Sequence, residues 1–169
     1  MHSSALPLVG LYIAAITAAN LLVAEFGPVI SPLNAFFLIG LDLSLRDRLH
    51  DLWAGRQLWP RMLGMIVLAG CVSWVLNPAA GIIAMASAVA FSVSGAVDAA
   101  TYHLLRRRPY LLRSNGSNAA GALTDSLIFP TMAFGAFLPG VVALQFIAKL
   151  AGGALWAWLI RKFAPATPR

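Results

Sequence analysis

Residues 141–161 read VVALQFIAKLAGGALWAWLIR, an apolar run with one charge in its interior, Lys149, and Arg161 at its end. A helix needs about 20 predominantly apolar residues to cross the hydrocarbon core of a bilayer, so this stretch reads as a membrane span. A lysine at mid-membrane costs about 2.5–3.5 kcal/mol on insertion scales. Lys149 must therefore have a partner or face a polar cavity. Working outward, runs of similar length and apolarity recur at 6–26, 30–46, 62–77, 80–104 and 119–138. Turn residues separate them: Gly27-Pro28 and Ser31-Pro32, Asn77-Pro78, and Pro139-Gly140. The reading is an all-α integral membrane protein with six transmembrane helices, forming one domain over residues 1–169.

Composition agrees with this reading. The chain is 60% hydrophobic and 11% charged, with mean hydropathy +0.80, whereas a soluble domain carries about 25% charged residues. The net charge of +6 does not point to nucleic acid, because the cations fall in short loops as the positive-inside rule requires. Three clusters hold all of them but Lys149: Arg46/Arg48/Arg56/Arg61, Arg106/Arg107/Arg108/Arg113 and Arg161/Lys162/Arg169. The connections after spans one, three and five carry no Lys or Arg. This alternation predicts both termini and all three clusters in the cytoplasm of a cell-membrane protein. The N-terminus offers His2 but no basic n-region, so an uncleaved first span is expected. Cys71 is the one cysteine and excludes a disulfide within the chain.

After the second span, Leu45, Leu49, Leu52 and Trp53 recur at helical spacing among charged residues. The pattern predicts an amphipathic continuation along the cytoplasmic face, with Trp53 and Trp59 at the headgroups. Ser114-Asn115-Gly116-Ser117-Asn118 reads as a turn and helix N-cap. His103 reads as an interfacial residue and not a metal ligand. No Walker A loop, nucleotide-binding glycine motif or metalloprotease pattern is present. Neither an enzyme nor a cofactor site is expected, and no catalytic or metal-ligating set is assigned.

The intramembrane polar residues carry the functional signal. Asp98, Asp125 and Lys149 lie in spans four, five and six, and Asp42 near the inner end of span two. Asp98 and Asp125 are expected at a common depth in the cytoplasmic half, with Lys149 nearer the middle. Arg113, Ser117, Gly121, Asp125 and Phe129 are each four apart, as are Gln145, Lys149 and Gly153, so each set drifts down one helix face. Asp42 and Arg46 form an i,i+4 pair, and Thr17 and Asn20 are three apart on span one. Such stripes must face one another and not lipid. The bland alternative is helix glue, either aspartate pairing with Lys149; one lysine cannot neutralise two acids, which leaves a carboxylate for substrate or proton. A non-transporting membrane scaffold is the corresponding functional alternative.

The run Phe37 to Arg46, including Gly40, Asp42 and Ser44, resembles the second-helix signature of the VUT family, bacterial queuosine-precursor transporters. Ala86-Ser87 with Asp98 resembles its fourth helix. Ser117, Gly121, Asp125-Ser126, Phe129 and Ala133-Phe134 resemble its fifth, Gln145 to Lys149 its sixth, and Thr17 to Asn20 its first. Ile82 and Gly95 depart from the pattern, where arginine and Gln or Glu are frequent. The resemblance implies a six-helix carrier with a bundle similar to vitamin-binding S-components, importing 7-cyano-7-deazaguanine (preQ0) or 7-aminomethyl-7-deazaguanine (preQ1). Its implied partners are that small molecule and the bilayer. The substrate-binding candidates are Asn20, Asp98, Asn118, Asp125, Phe129, Gln145 and Lys149; Asp42, Arg46, Ser117 and Gly121 are gating or structural candidates. The runner-up function is an S-component needing a separate ATPase module, docked on Ala14, Ala15, Ala18 and Ala19. The energy source, the oligomeric state and the division of binding and proton coupling between the two aspartates stay open at this level.

Overall fold

A computed structural model of the chain describes residues 5–53 and 58–163. His2, Arg56 and Arg169 lie outside the described residues, and the side chains of Asp47, His50, Asp51, Trp59, Arg113 and Arg161 are likewise not described. Six helical rods make up the described chain: α1 (Ala5–Phe26), α2 (31–53), α3 (Leu58–Leu76), α4 (Ala80–Leu104), α5 (Tyr110–Phe134) and α6 (Pro139–Phe163). There is no strand among the described residues.

Ala5–Val29, Ala80–Leu104 and Pro139–Ile160 are long and apolar enough to cross a membrane, and Pro60–Leu76 is a shorter apolar helix. The surface is inverted relative to a water-soluble protein. Large apolar side chains such as Leu6, Val67, Trp74, Ile82, Leu104, Leu127, Ile147 and Trp158 are exposed, while Asn20, Asp42, Ser73, Asp125, Gln145 and Lys149 are buried. In lipid the hydrocarbon is the solvent, so polar groups turn inward to find partners. The chain is an all-α multi-pass membrane protein. The rods alternate in direction through short connections. Arg46, Arg48, Arg61, Arg106 to Arg108 and Lys162 therefore share one end, the basic end, and the α1–α2 and α3–α4 connections lie at the other.

The structure departs from the sequence expectation in two places. The apolar face of the segment after the second span turns onto the bundle. α2 continues unbroken to Trp53, and Leu45 and Leu49, 2% and 0% exposed, join a core of Tyr12, Ile16, Met62, Met65, Ala69 and Phe91. Their spacing is that of a helix face, and α1 and α3 offer that face more apolar surface than the interface does. Trp53 packs on the edge of this core, with the Arg61 guanidinium 5.4 Å from its ring centre. Second, residues 114–118 are not a turn. Pro109, at ψ 146°, is the N-cap, and α5 starts at Tyr110. Proline suits this position because it cannot donate into a preceding helix, so the helix begins well before the span does. Ser117 is thereby buried inside α5.

α2 is not a regular rod. A first turn, Ser31–Asn34, leads into a π-segment, Ala35–Ile39, before the α-helix resumes at Gly40–Trp53. The widened turn lies where α2 meets α6 backbone to backbone. A Cβ on Gly40 would sit 2.7 Å from the Gly152 carbonyl carbon, and one on Gly152 would collide with the Phe36 carbonyl. The Trp156 indole donates to the Phe37 carbonyl at 2.8 Å, and Ser44 Oγ donates to the Gly153 carbonyl at 3.3 Å. Small residues allow the approach, and these carbonyls hold it.

On the opposite side, α4 and α5 pack along most of their length. Gly121 is the close point there: its Cβ would lie 3.2 Å from Asp98 Cβ and 3.3 Å from the Ser94 carbonyl oxygen. Overpacking a closed interface costs about 1–3 kcal/mol. Gly152→Ala, which drives a methyl into backbone, is expected to lose stability in that range, measured as a lowered thermal midpoint of the detergent-solubilised protein. Gly95→Ala, which has open space around its Cβ, serves as the neutral control.

Candidate functional site

Lys149 is 3% exposed and sits midway along α6. Its ammonium donates to Asp125 Oδ2 on α5, to Ser126 Oγ at 3.0 Å and to Gln145 Oε1 at 3.2 Å. Those three bonds use all three ammonium protons. Gln145, one turn earlier on α6, donates from Nε2 to Ser31 Oγ in the first turn of α2. A buried polar chain thus runs Asp125–Lys149–Gln145–Ser31 across three helices. Pro130 lies inside α5 one turn beyond Ser126; having no N–H, it leaves the Ser126 carbonyl without its usual helical donor.

Two cavities flank the ion pair. The larger, about 510 Å³, lies on the basic side and is walled by α2, α4, α5 and α6, with Arg46, Asp98, Asn118, Gly121, Asp125 and Lys149 among its lining. The smaller, about 30 Å³, lies towards the other end, with Asn20, Ser31, Asn34, Phe129 and Gln145 in its wall. Asp125, Lys149, Ile39 and Phe91 line both. Ligand pockets span about 300–1,000 Å³, whereas a single water occupies about 30 Å³ of liquid. The large chamber has the size for a bicyclic base; the small one does not.

The predicted site residues thus divide between two chambers. Asp98, Asn118, Asp125 and Lys149 meet at the large one; Asn20, Phe129 and Gln145 line the small one together with the ion pair. Asn20 donates to Ser73 Oγ at 3.1 Å, which ties α1 to α3. The two aspartates are not level. Asp98 faces Gly121, one turn nearer the basic end than Asp125, a separation of about 6 Å along the helix at 1.5 Å per residue. Lys149 accordingly pairs with Asp125 and not with Asp98. Asp98 Oδ1 is buried without a hydrogen-bond partner at the chamber wall.

Asp42 and Arg46, one turn apart on α2, differ in surroundings. Asp42 is fully buried beside Tyr12 of α1, while Arg46 reaches the chamber wall. Arg46 lies at the chamber and the carboxylate behind it. Ser117 is buried on α5, and Gly121 is the contact point with α4. Sequence reasoning missed Ser31, which read as a turn residue, and Asn34, inside the second span. Asn34 donates to the Ala19 carbonyl at 2.9 Å and Ser31 accepts from Gln145. Their i,i+3 spacing, like that of Thr17 and Asn20, was the available signal. His103 lies 3.2 Å from an Arg106 nitrogen at the basic end, and no cluster of metal-ligating residues occurs among the described residues.

A buried ion pair between two unequal chambers in a helical membrane bundle is an arrangement that a small-molecule membrane transporter can use. The family profile described as "putative vitamin uptake transporter" matches residues 73–162, from the end of α3 through α6. The chain belongs to that vitamin uptake transporter family. No curated protein and no solved structure matches the chain.

Removing one partner of a buried pair costs about 3–5 kcal/mol because the other charge is left uncompensated. Lys149→Met is expected to lower the thermal midpoint sharply. Lys149→Met combined with Asp125→Leu should recover most of the loss, giving a favourable coupling in a double-mutant cycle. Additive losses would show that the pair is not formed.

Proposed function

We propose that the protein is a membrane carrier importing a 7-deazaguanine queuosine precursor, preQ0 or preQ1, through the chamber beside the Asp125–Lys149 pair. The observation that carries the reading is the unpartnered Asp98 Oδ1 on the wall of a chamber of about 510 Å³. A buried acceptor without a donor costs about 1–3 kcal/mol, and a ligand that brings donors removes that cost. A 7-deazaguanine presents two adjacent donors, N1–H and the exocyclic amine, the edge by which proteins read guanine-like bases. Asp98 takes that edge.

The O6 acceptor falls to Asn118, whose amide is on the same chamber wall, because the Lys149 ammonium has no proton to spare. Phe91, which lines both chambers, supplies a face for the heterocycle. Arg46 stands at the basic-side wall with Asp42 behind it, in the position of a gate residue. Asp125 and Lys149 form the floor, where the pair can open to admit the ligand to the other side.

The reading with a separate ATPase module needs a free alanine face on α1. Ala14 is exposed and Ala18 half-buried, but Ala15 and Ala19 are 4% and 5% exposed, so half of that face is covered by the bundle. Stand-alone transport is therefore the stronger reading. The test is uptake of preQ0 and preQ1, read out as queuosine in tRNA, in an auxotrophic host that lacks its own transporter and any such module. The chain alone is expected to restore queuosine. Asp98→Asn presents a donor to a donor edge and should raise the half-saturating concentration about 10- to 100-fold, the range of one lost polar contact. Normal uptake by Asp98→Asn would remove it from the site, and no uptake of either base would remove the substrate assignment.

A further inference from the structure

The small chamber is closed by one short piece of chain. The first turn of α2, Ser31–Asn34, follows Pro28, carries Pro32 at its second position and leads into the π-segment. It is held at two points: Asn34 Nδ2 on the Ala19 carbonyl of α1, and Ser31 Oγ under Gln145 of α6. From the π-segment onward α2 is fixed differently, by the Trp156 bond to Phe37 and the Gly40–Gly152 backbone contact. A π-turn breaks the regular α ladder and is a recurrent site of helix bending. The turn can move ahead of the π-segment while residues 36–40 stay seated on α6.

Among the described residues, Gln145 is the side chain that joins this turn to the ion pair. Its carbonyl oxygen accepts from Lys149 and its amide donates to Ser31, and it is 1% exposed. Both ends of the amide are therefore committed, and its orientation is set by Lys149. When a ligand draws the ammonium or the Asp125 carboxylate towards the large chamber, the Gln145 carbonyl loses its donor and the bond to Ser31 loses its alignment.

We propose that Gln145 is the positioning residue through which the Asp125–Lys149 pair latches the first turn of α2 shut over the small chamber, so that ligand engagement at the pair releases access from the end opposite the basic loops. The inference rests on the carrier reading above, and concerns how the two chambers exchange access, whichever base is carried.

The test uses full-length protein with Cys71→Ser and a reporter, Val23→Cys, a buried position in the small-chamber wall that belongs to neither latch bond. A membrane-impermeant maleimide is applied to the face opposite the basic loops of reconstituted vesicles, without any deazapurine. Slow labelling is expected with Gln145 intact. Gln145→Leu should label about tenfold faster, the factor equivalent to about 1.4 kcal/mol. Ser31→Ala, which removes the other end of the same bond, should do the same. Gln145→Glu retains an acceptor for Lys149 and one for the Ser31 hydroxyl, and should label slowly. Equal rates in the Leu and Glu variants, or no acceleration in either Gln145→Leu or Ser31→Ala, would overturn the latch. Because no base is present, a failed uptake assay and a failed latch are separate results.

Discussion

The salt bridge between Lys149 and Asp125 is the constraint around which the bundle is arranged. Two unit charges buried in a membrane protein are tolerable only when each is paired and hydrogen-bonded. Lys149 meets this with three acceptors, Asp125, Ser126 and Gln145. That demand brings the middle of α6 against the outer half of α5 and, through Gln145, against the start of α2. It also separates the two chambers, since the pair lines both.

The chambers differ in size because the helices are held differently on the two sides of the pair. Towards the end opposite the basic loops, Asn20–Ser73, Asn34–Ala19 and Gln145–Ser31 bonds draw α1, α2, α3 and α6 together. Towards the basic end, α2 crosses α6 at glycine and then leans onto α1 and α3 through Leu45 and Leu49, which leaves space between α2, α4, α5 and α6. Apolar packing on one side and polar ties on the other thus yield one large chamber and one small one.

Much of this was legible in the sequence, for a physical reason. Span length is set by bilayer thickness and orientation by where cations are tolerated, and both are properties of the chain read locally. The breaks at Gly27-Pro28 and Asn77-Pro78 fall between rods as expected, whereas Ser31-Pro32 opens α2 and Pro139-Gly140 opens α6, the chain turning just ahead of the latter at Gly135 to Leu138. The four-residue stripe through Ser117, Gly121 and Asp125 turns inward, since lipid leaves it no alternative. Less legible were the places where two local readings compete. Residues 114–118 have turn chemistry, but Pro109 starts the helix ahead of them. Leu45 and Leu49 fit an interfacial helix and a core helix equally by spacing, and only the presence of Tyr12, Met62 and Met65 decides for the core.

The sequence by itself determined that this is a membrane bundle with its cations at one end, and that Lys149 and the acids beside it must face inward. Hydrophobicity and the cost of charge in hydrocarbon act on each segment separately, so those conclusions need no neighbours. Which aspartate takes the lysine, which polar residues wall the large chamber, and that Ser31 is tied to the ion pair were decided only by the tertiary structure. These depend on relative depth and rotation of helices. Asp98 lies opposite Gly121 because a glycine lets α4 and α5 close there; that contact sets it one turn from Asp125 and leaves its carboxylate facing the chamber.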